Sequence, residues 1–279
     1  GGCAVRRGLA RALLRRGAVE ALAGIGELAD DALALAAARG VVMYKAPAAK
    51  AEASAVPVAL LPAPVDAGLF AEACAMAPAF HRLMDRVSCD VGWLQEALRD
   101  TARMDAVCKG LLDIAARVYG AGGRAYSEDV RLHIMRNDFM LDAAAARRGD
   151  FALKQVELNM ISAAFSTHAE DLVEVHRHLL CKYLHRVEPE LTPDAVHPAL
   201  QEALPASGAT AGIAAAIAQA HQAYERRWPP GRGGRTRAVL VVSEVDENNE
   251  LDHRKLEAAL FRDHRVLAFR RSLAQIGAA

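Results

Sequence analysis

Leu153-Lys-Gln-Val-Glu-Leu-Asn-Met-Ile-Ser162 alternates apolar with polar side chains over most of its length. In a strand, successive side chains point to opposite faces. Val156, Leu158 and Met160 then share one apolar face, while Gln155, Glu157 and Asn159 share the other. A carboxylate and a carboxamide thus point the same way, about 7 Å apart along the strand. Magnesium takes oxygen ligands, keeps several waters and engages only one or two protein groups beside substrate phosphates, a demand that Glu157 with Asn159 meets. The same pattern also describes an ordinary half-exposed strand with a solvated polar face.

Just upstream lies Met135-Arg-Asn-Asp-Phe-Met-Leu141. The guanidinium fork of Arg136 suits two-pronged pairing with a carboxylate, and its competing role is a surface ion pair with Asp138 or Asp142. Val130, Leu132 and Ile134 alternate with Arg131 and His133 and predict a strand before it. Farther out, helical spacing takes over. Residues 18–39 are rich in Ala and Leu and predict a helix ending at Gly40, with a polar loop over 45–55. Pro57, Pro62 and Pro64 bracket the short apolar run 58–61, which fits an edge strand or an extended segment. Asp66 can cap a helix whose apolar positions are Leu69, Ala73, Ala77, Phe80, Met84 and Val87, with Pro78 expected to kink or divide it. Similar stripes run through Met104, Cys108, Leu111, Ala115 and Val118, through Leu172, Val175, Leu179 and Tyr183, and through Ile213, Ile217, Ala220 and Tyr224. All are read as core.

Residues 228–237 hold two prolines and three glycines and mark a boundary. After it come a strand over 239–242, a loop, a helix over about 252–262 and a strand over 266–269. That order is a βαβ unit and implies a parallel sheet. The fold class is α/β with α+β character, organised as an amino-terminal extension (1–56), a helical and sheet-bearing part (57–227), a linker (228–237) and the start of an α/β subdomain (238–279).

Composition narrows the function. Of 279 residues 53% are hydrophobic, and 34 Lys+Arg balance 34 Asp+Glu, so no basic excess points to nucleic acid or an anionic membrane. No apolar run approaches the roughly 20 residues of a membrane span. Cys3, Cys74, Cys89, Cys108 and Cys181 are scattered without a C-x-x-C pair, which argues against a disulfide framework or a zinc site and reads each as a small buried hydrophobe. The first 17 residues carry five arginines and no acid, so the expected compartment is cytoplasmic, or plastid or mitochondrion if that stretch is the remnant of a transit peptide.

Together the two central motifs carry more. Arg136-Asn-Asp-Phe-Met followed by Leu153-Lys-Gln-Val-Glu-Leu-Asn-Met-Ile-Ser-Ala-Ala-Phe165 resembles the R-S-D-Y-M … L-K-Q-I-E-I-N-T-I-S-A-S-F signature of eukaryotic glutathione synthetases. His176-Arg-His-Leu179 resembles that family's H-R-H-V. Val241-Val-Ser-Glu-Val-Asp-Glu-Asn-Asn-Glu-Leu-Asp-His-Arg254 resembles its strand and loop of the type Q-E-K-E-R-N-x-x-D-Q-R. The likeness runs in order from about residue 57 to 273. Departures are Ala164 for the second Ser, Ser166-Thr167 for Gly-Gly, Asn248 for Arg, His253 for Gln, and a loop one residue longer.

The resemblance implies an ATP-grasp-type sheet followed by a substrate-binding subdomain, in a homodimeric ligase. ATP would phosphorylate the cysteinyl carboxylate of γ-glutamylcysteine, and the glycine amine would displace phosphate from the acyl phosphate. It implies Glu157 and Asn159 as Mg2+ ligands, with Glu157 also near the ATP phosphates. Arg136 would hold a carboxylate of the dipeptide. Ile161, Ser162, Ala163 and Ala164 would line the dipeptide site, with Glu247, Asn248, Asn249 and His253 as further contacts. The family's G-G-G-N-N loop and its ATP-site lysines have no counterpart here, so this polypeptide alone is expected to bind ATP weakly and not to turn over. A non-catalytic dimerisation partner of the full-length enzyme is the alternative.

Two other constellations are weaker. Ser166, His168 and Asp171 are triad residue types without a nucleophile-elbow frame, and an N-cap role for Ser166 or Thr167 fits better. His176, His178 and His185 read as surface or hydrogen-bonded histidines.

Overall fold

The structure is a computed structural model that describes residues 8, 25–46, 50–120, 123, 128–148, 152–161, 163–186, 188–229 and 237–278. In chain order the elements are α1 (Ile25–Ala38), β1 (Val42–Tyr44), β2 (Ala53–Ala55), α2 (Ala67–Cys89), α3 (Val91–Ala97), α4 (Arg99–Met104), α5 (Ala106–Tyr119), β3 (Arg136–Leu141), α6 (Ala143–Arg148), β4 (Leu153–Asn159), α7 (Ser166–Tyr183), α8 (Pro193–Ala203), α9 (Ala209–Arg227), β5 (Val239–Val242), α10 (Glu250–His264), β6 (Ala268–Arg271) and α11 (Leu273–Gly277). The strands pair in twos: β1 with β2 and β3 with β4 antiparallel, β5 with β6 parallel. The molecule is thus mixed α/β. Its chain divides into two compact units, residues 1–64 with 164–279, and residues 65–163.

In the first unit, α1 stops where Gly40 enters the left-handed region at φ 69°. The Gly40 amide bonds the Ala37 carbonyl and the Val41 amide bonds that of Ala36, closing the helix end in a Schellman motif. The chain then turns into β1. Ala53–Ala55, inside the expected polar loop, forms β2 opposite it. Leu28 and Ala32 of α1 pack with Val175, Leu179 and Tyr183 of α7, and Leu180 of α7 packs with Val196 and Leu200 of α8. Leu60 and Leu61 lie against this core without a ladder partner, so the 58–61 run is an extended segment. His176 ties that segment down by donating from Nε2 to the Ala59 carbonyl at 2.8 Å. It is a buried, hydrogen-bonded histidine, whereas His178 and His185 are exposed.

The βαβ unit forms as expected, with β6 over Ala268–Arg271 rather than 266–269. Ala214 and Ala218 of α9 pack with Ala259 and Leu260 of α10, and Val239 and Ala268 lie against them. Leu240, Val242 and Phe269 on the other sheet face are exposed. A chain of alternating charge, Lys50–Glu250–Arg254–Glu257–Arg270, links the end of the β1–β2 connection through α10 to β6.

In the second unit, Asp66 caps α2 through the Leu69 amide, as its position suggested, and Asp90 and Asp105 cap α3 and α5 in the same way. Helix α2 is not divided at Pro78. The apolar stripe expected to be core is not buried here: α2 to α5 contain no buried residue, and Met104 and Leu111 are 92% and 63% exposed. Periodicity identifies a helix face but not what covers it. The four cysteines among the described residues are free and partly or fully exposed, not buried as expected. No strand forms over 130–134; the ladder starts at Arg136, because only from there does β4 offer a partner. The inner face of the β3–β4 pair (Asn137, Phe139, Leu158) and Phe70 and Phe80 of α2 line a groove of about 540 Å³.

Leu179 is 1% exposed in the α1–α7 cluster. Leu179→Ala should therefore cost about 2–5 kcal/mol of unfolding free energy. Gly40→Ala, which strains a left-handed position and meets the Lys255 side chain at 3.1 Å, should cost about 1–2 kcal/mol. Denaturant titration with unchanged m-values checks both.

Candidate functional site

Antiparallel register decides what β3 and β4 present together. Arg136 stands opposite Asn159, and Asp138 opposite Glu157. Residues directly opposite in such a pair extend to the same side of the sheet, so a guanidinium, two carboxylates and a carboxamide share one patch. Arg136 donates from Nε and Nη2 to the two carboxylate oxygens of Asp138 at 2.9 and 3.1 Å. The Asn159 amide nitrogen donates to Asp138 at 3.1 Å and to Glu157 at 3.2 Å. The surface ion pair of Arg136 therefore exists, with Asp138, and it is part of the same cluster. The Arg136 guanidinium, with help from the Asn159 amide, holds the Asp138 carboxyl below its ordinary value, and Asp138 in turn raises Arg136.

A bulge modifies the expected polar row. The register slips between Asp138 and Phe139, which places Gln155 opposite Phe139 and leaves Val156 as the extra residue. Glu157 and Asn159 keep a common side, and Gln155 drops out of their row. Glu157 is exposed and Asn159 partly so. The donor set of carboxylate and carboxamide oxygens open to water is the kind a hydrated Mg2+ accepts. Among the described residues no three His, Cys, Asp or Glu side chains converge as a closed metal cage. Ile161 is 87% exposed beyond β4 and Ala163 is partly buried, while Ser162 lies outside the described residues.

The other expected contacts belong to the first unit. Ala164 precedes Phe165, which caps α7 with φ 70°, a left-handed conformation uncommon for an aromatic residue. Neither Ser166 nor Thr167 is the N-cap; both lie inside the helix. Their expected job falls to Asp252 of α10, whose carboxylate accepts the Phe165, Thr167 and His168 amides at 2.8, 3.0 and 3.1 Å and the Thr167 hydroxyl at 2.7 Å. Local spacing could not reveal this, since the partners are 84 to 87 positions apart. The 247–249 loop leads into the same place. Glu247 accepts the Asn249 amide, the Asn248 carbonyl accepts the Tyr44 amide, and Asn249 donates its side-chain amide to Asp252. His253 follows in the first turn of α10, partly buried.

The family model of the eukaryotic glutathione synthase ATP-binding domain matches residues 23–266. The chain belongs to that family. It is 31% identical over 261 residues to the chloroplastic glutathione synthetase of Solanum lycopersicum, covering 91% of this chain and 43% of that one. It is 33% identical over 255 residues to the Xenopus laevis glutathione synthetase, covering 90% and 48%, and 30% identical over 238 residues to the human one, covering 84% and 44%. The chain thus spans under half the length of these glutathione synthetases. In fold it is similar to a glutathione synthetase-like effector of Globodera pallida solved in the apo form, with a TM-score of 0.62 and 19% identity, covering 89% of this chain and 50% of that one. No helix among the described residues is long and apolar enough to cross a membrane.

The pairing of Asp138 with Arg136 has a pH consequence. A carboxyl lowered in the folded state stabilises above its ordinary range, and that contribution is lost as pH falls through the lowered value. In a carbon-detected NMR titration, the Asp138 carboxyl should titrate below the ordinary aspartate range and shift upward in Arg136→Ala. A midpoint unmoved by that substitution would contradict the pairing.

Proposed function

We propose that this chain carries the metal-binding and dipeptide-binding part of an ATP-dependent ligase that joins γ-glutamylcysteine to glycine. The observation that supports this most is the β3–β4 patch, where Arg136, Asp138, Glu157 and Asn159 lie on opposed register positions in a chain of glutathione synthetase ancestry. Glu157 and Asn159 would hold Mg2+ through a carboxylate and a carboxamide oxygen. When bound, the ion would neutralise charge on the transferring phosphoryl group of ATP. Arg136, kept in place by Asp138, would grip a carboxylate of γ-glutamylcysteine with the part of its fork that Asp138 leaves over. Ile161 to Ala164 would line the dipeptide through backbone groups. Within the first unit, Glu247, Asn248, Asn249 and His253 of the loop before α10 would be further dipeptide contacts. Holding carboxylate and phosphate in line is what lowers the barrier in such a reaction.

Calorimetry with γ-glutamylcysteine tests the dipeptide assignment without requiring turnover. Arg136→Ala should weaken binding roughly tenfold or more, the worth of a charge-assisted contact. Equal affinity in the variant would remove Arg136 from the site. Glu157→Gln should reduce the Mg2+ dependence of ATP binding while leaving the melting temperature unchanged, and an unaltered Mg2+ dependence would contradict the ligand role.

A second reading, association with another glutathione synthetase chain, draws on the exposed row Val107, Leu111, Ile114 and Val118 of α5, whose three-and-four spacing suits a helix partner. Light scattering should then give a mass above that of one chain, reduced in Leu111→Glu; a monomer at micromolar concentration would count against it.

A further inference from the structure

We infer that Asp252 is the positioning residue of the dipeptide site, a single buried carboxylate that holds the 164–165 backbone and the 247–249 loop in one fixed relation. The inference rests on the reading of those two segments as dipeptide contacts. Asp252 is 2% exposed and accepts from donors in both: the amides of Phe165, Thr167 and His168 and the Thr167 hydroxyl on one side, and the Asn249 side-chain amide at 3.3 Å on the other. Burial pushes its carboxyl up, but the Thr167 hydroxyl and the amides of His168 and Phe165 outweigh that and keep it below its ordinary value.

Helix capping alone does not account for this arrangement. A cap needs one acceptor supplied by the residue before the helix, as Asp66 supplies for α2. Here the residue in that place is Phe165, forced to φ 70° with no side-chain acceptor of its own. A strained backbone persists where its surroundings over-determine it. What Asp252 fixes by gripping the Phe165 amide is the direction in which Ala164 leaves α7. The loop is held just as firmly from its other side, through the Glu247–Asn249 and Tyr44–Asn248 bonds. The polar groups around the carboxylate are not all satisfied: the Asn249 Oδ1 has no hydrogen-bond partner among the described residues, and the Nδ1 of buried His168 stands 3.9 Å from Asp252, beyond hydrogen-bond reach. Buried polar groups are normally paired, so this cluster gives up some stability to keep its geometry. Contacts made through backbone groups cannot adjust by side-chain rotation, which makes the relation of these two segments matter for affinity.

The test compares the wild-type chain with Asp252→Asn, and with Thr167→Val in case the first variant fails to fold. Hydrogen exchange should show the amides of Phe165, Thr167, His168 and Asn249 losing protection together, while α8 amides keep theirs. Calorimetry should show γ-glutamylcysteine bound roughly tenfold more weakly by Asp252→Asn and less severely so by Thr167→Val, the size of a lost charge-assisted bond. A folded Asp252→Asn, or Thr167→Val alone, that binds the dipeptide as well as wild type overturns the positioning role and leaves the dipeptide assignment standing. A wild-type chain that binds no dipeptide overturns the assignment itself, and the inference with it.

Discussion

An ionised carboxylate removed from water must replace its hydration with hydrogen bonds, or it will protonate or unfold its surroundings. Asp252 meets this demand by drawing donors from two segments far apart in the chain. Much of the first unit follows from that. The start of α7 is determined from outside the helix, the loop before α10 is closed against it, and Phe165 adopts a conformation that its own side chain does nothing to favour. The apolar faces of α7 are then aligned with α1 and α8, where Leu179, Leu180 and Tyr183 complete the core.

The second unit is organised differently. Helices α2, α3, α5 and α6 are started by local aspartates, each accepting amides two or three residues ahead, and the strands are held by register. The Arg136–Asp138 pair is largely solvent-exposed, so it contributes order more than stability. Its value lies in direction. With two of its nitrogens fixed on Asp138, Arg136 is held beside Asn159 and Glu157 rather than swinging free.

Features set by neighbouring residues were legible in the amino-acid sequence. The strand over 153–159, the Asp66 cap, the Gly40 stop and the strand–helix–strand order after residue 237 all appear, although the apolar face expected of Val156 with Leu158 is broken by the bulge and Val156 is exposed. The polar row of β4 was legible except at Gln155, because a bulge is a property of two strands and no single strand announces it. Burial was the least legible property. The stripe through Leu172 to Tyr183 faces a core and the one through Met104 to Val118 does not, though their spacing is alike. The capping role of Asp252 was not legible, since its partners at the start of α7 are more than eighty residues away.

That separation also bears on the order in which the protein folds. Closing a loop of this length costs entropy that local helix formation does not face, so α7 can coil up early over most of its length while its first turn waits. Only when α10 has docked does the carboxylate reach the Phe165 amide and bend the preceding residues into place. The shape of the backbone that leads into α7 therefore depends on a contact that helix formation within α7 alone does not supply.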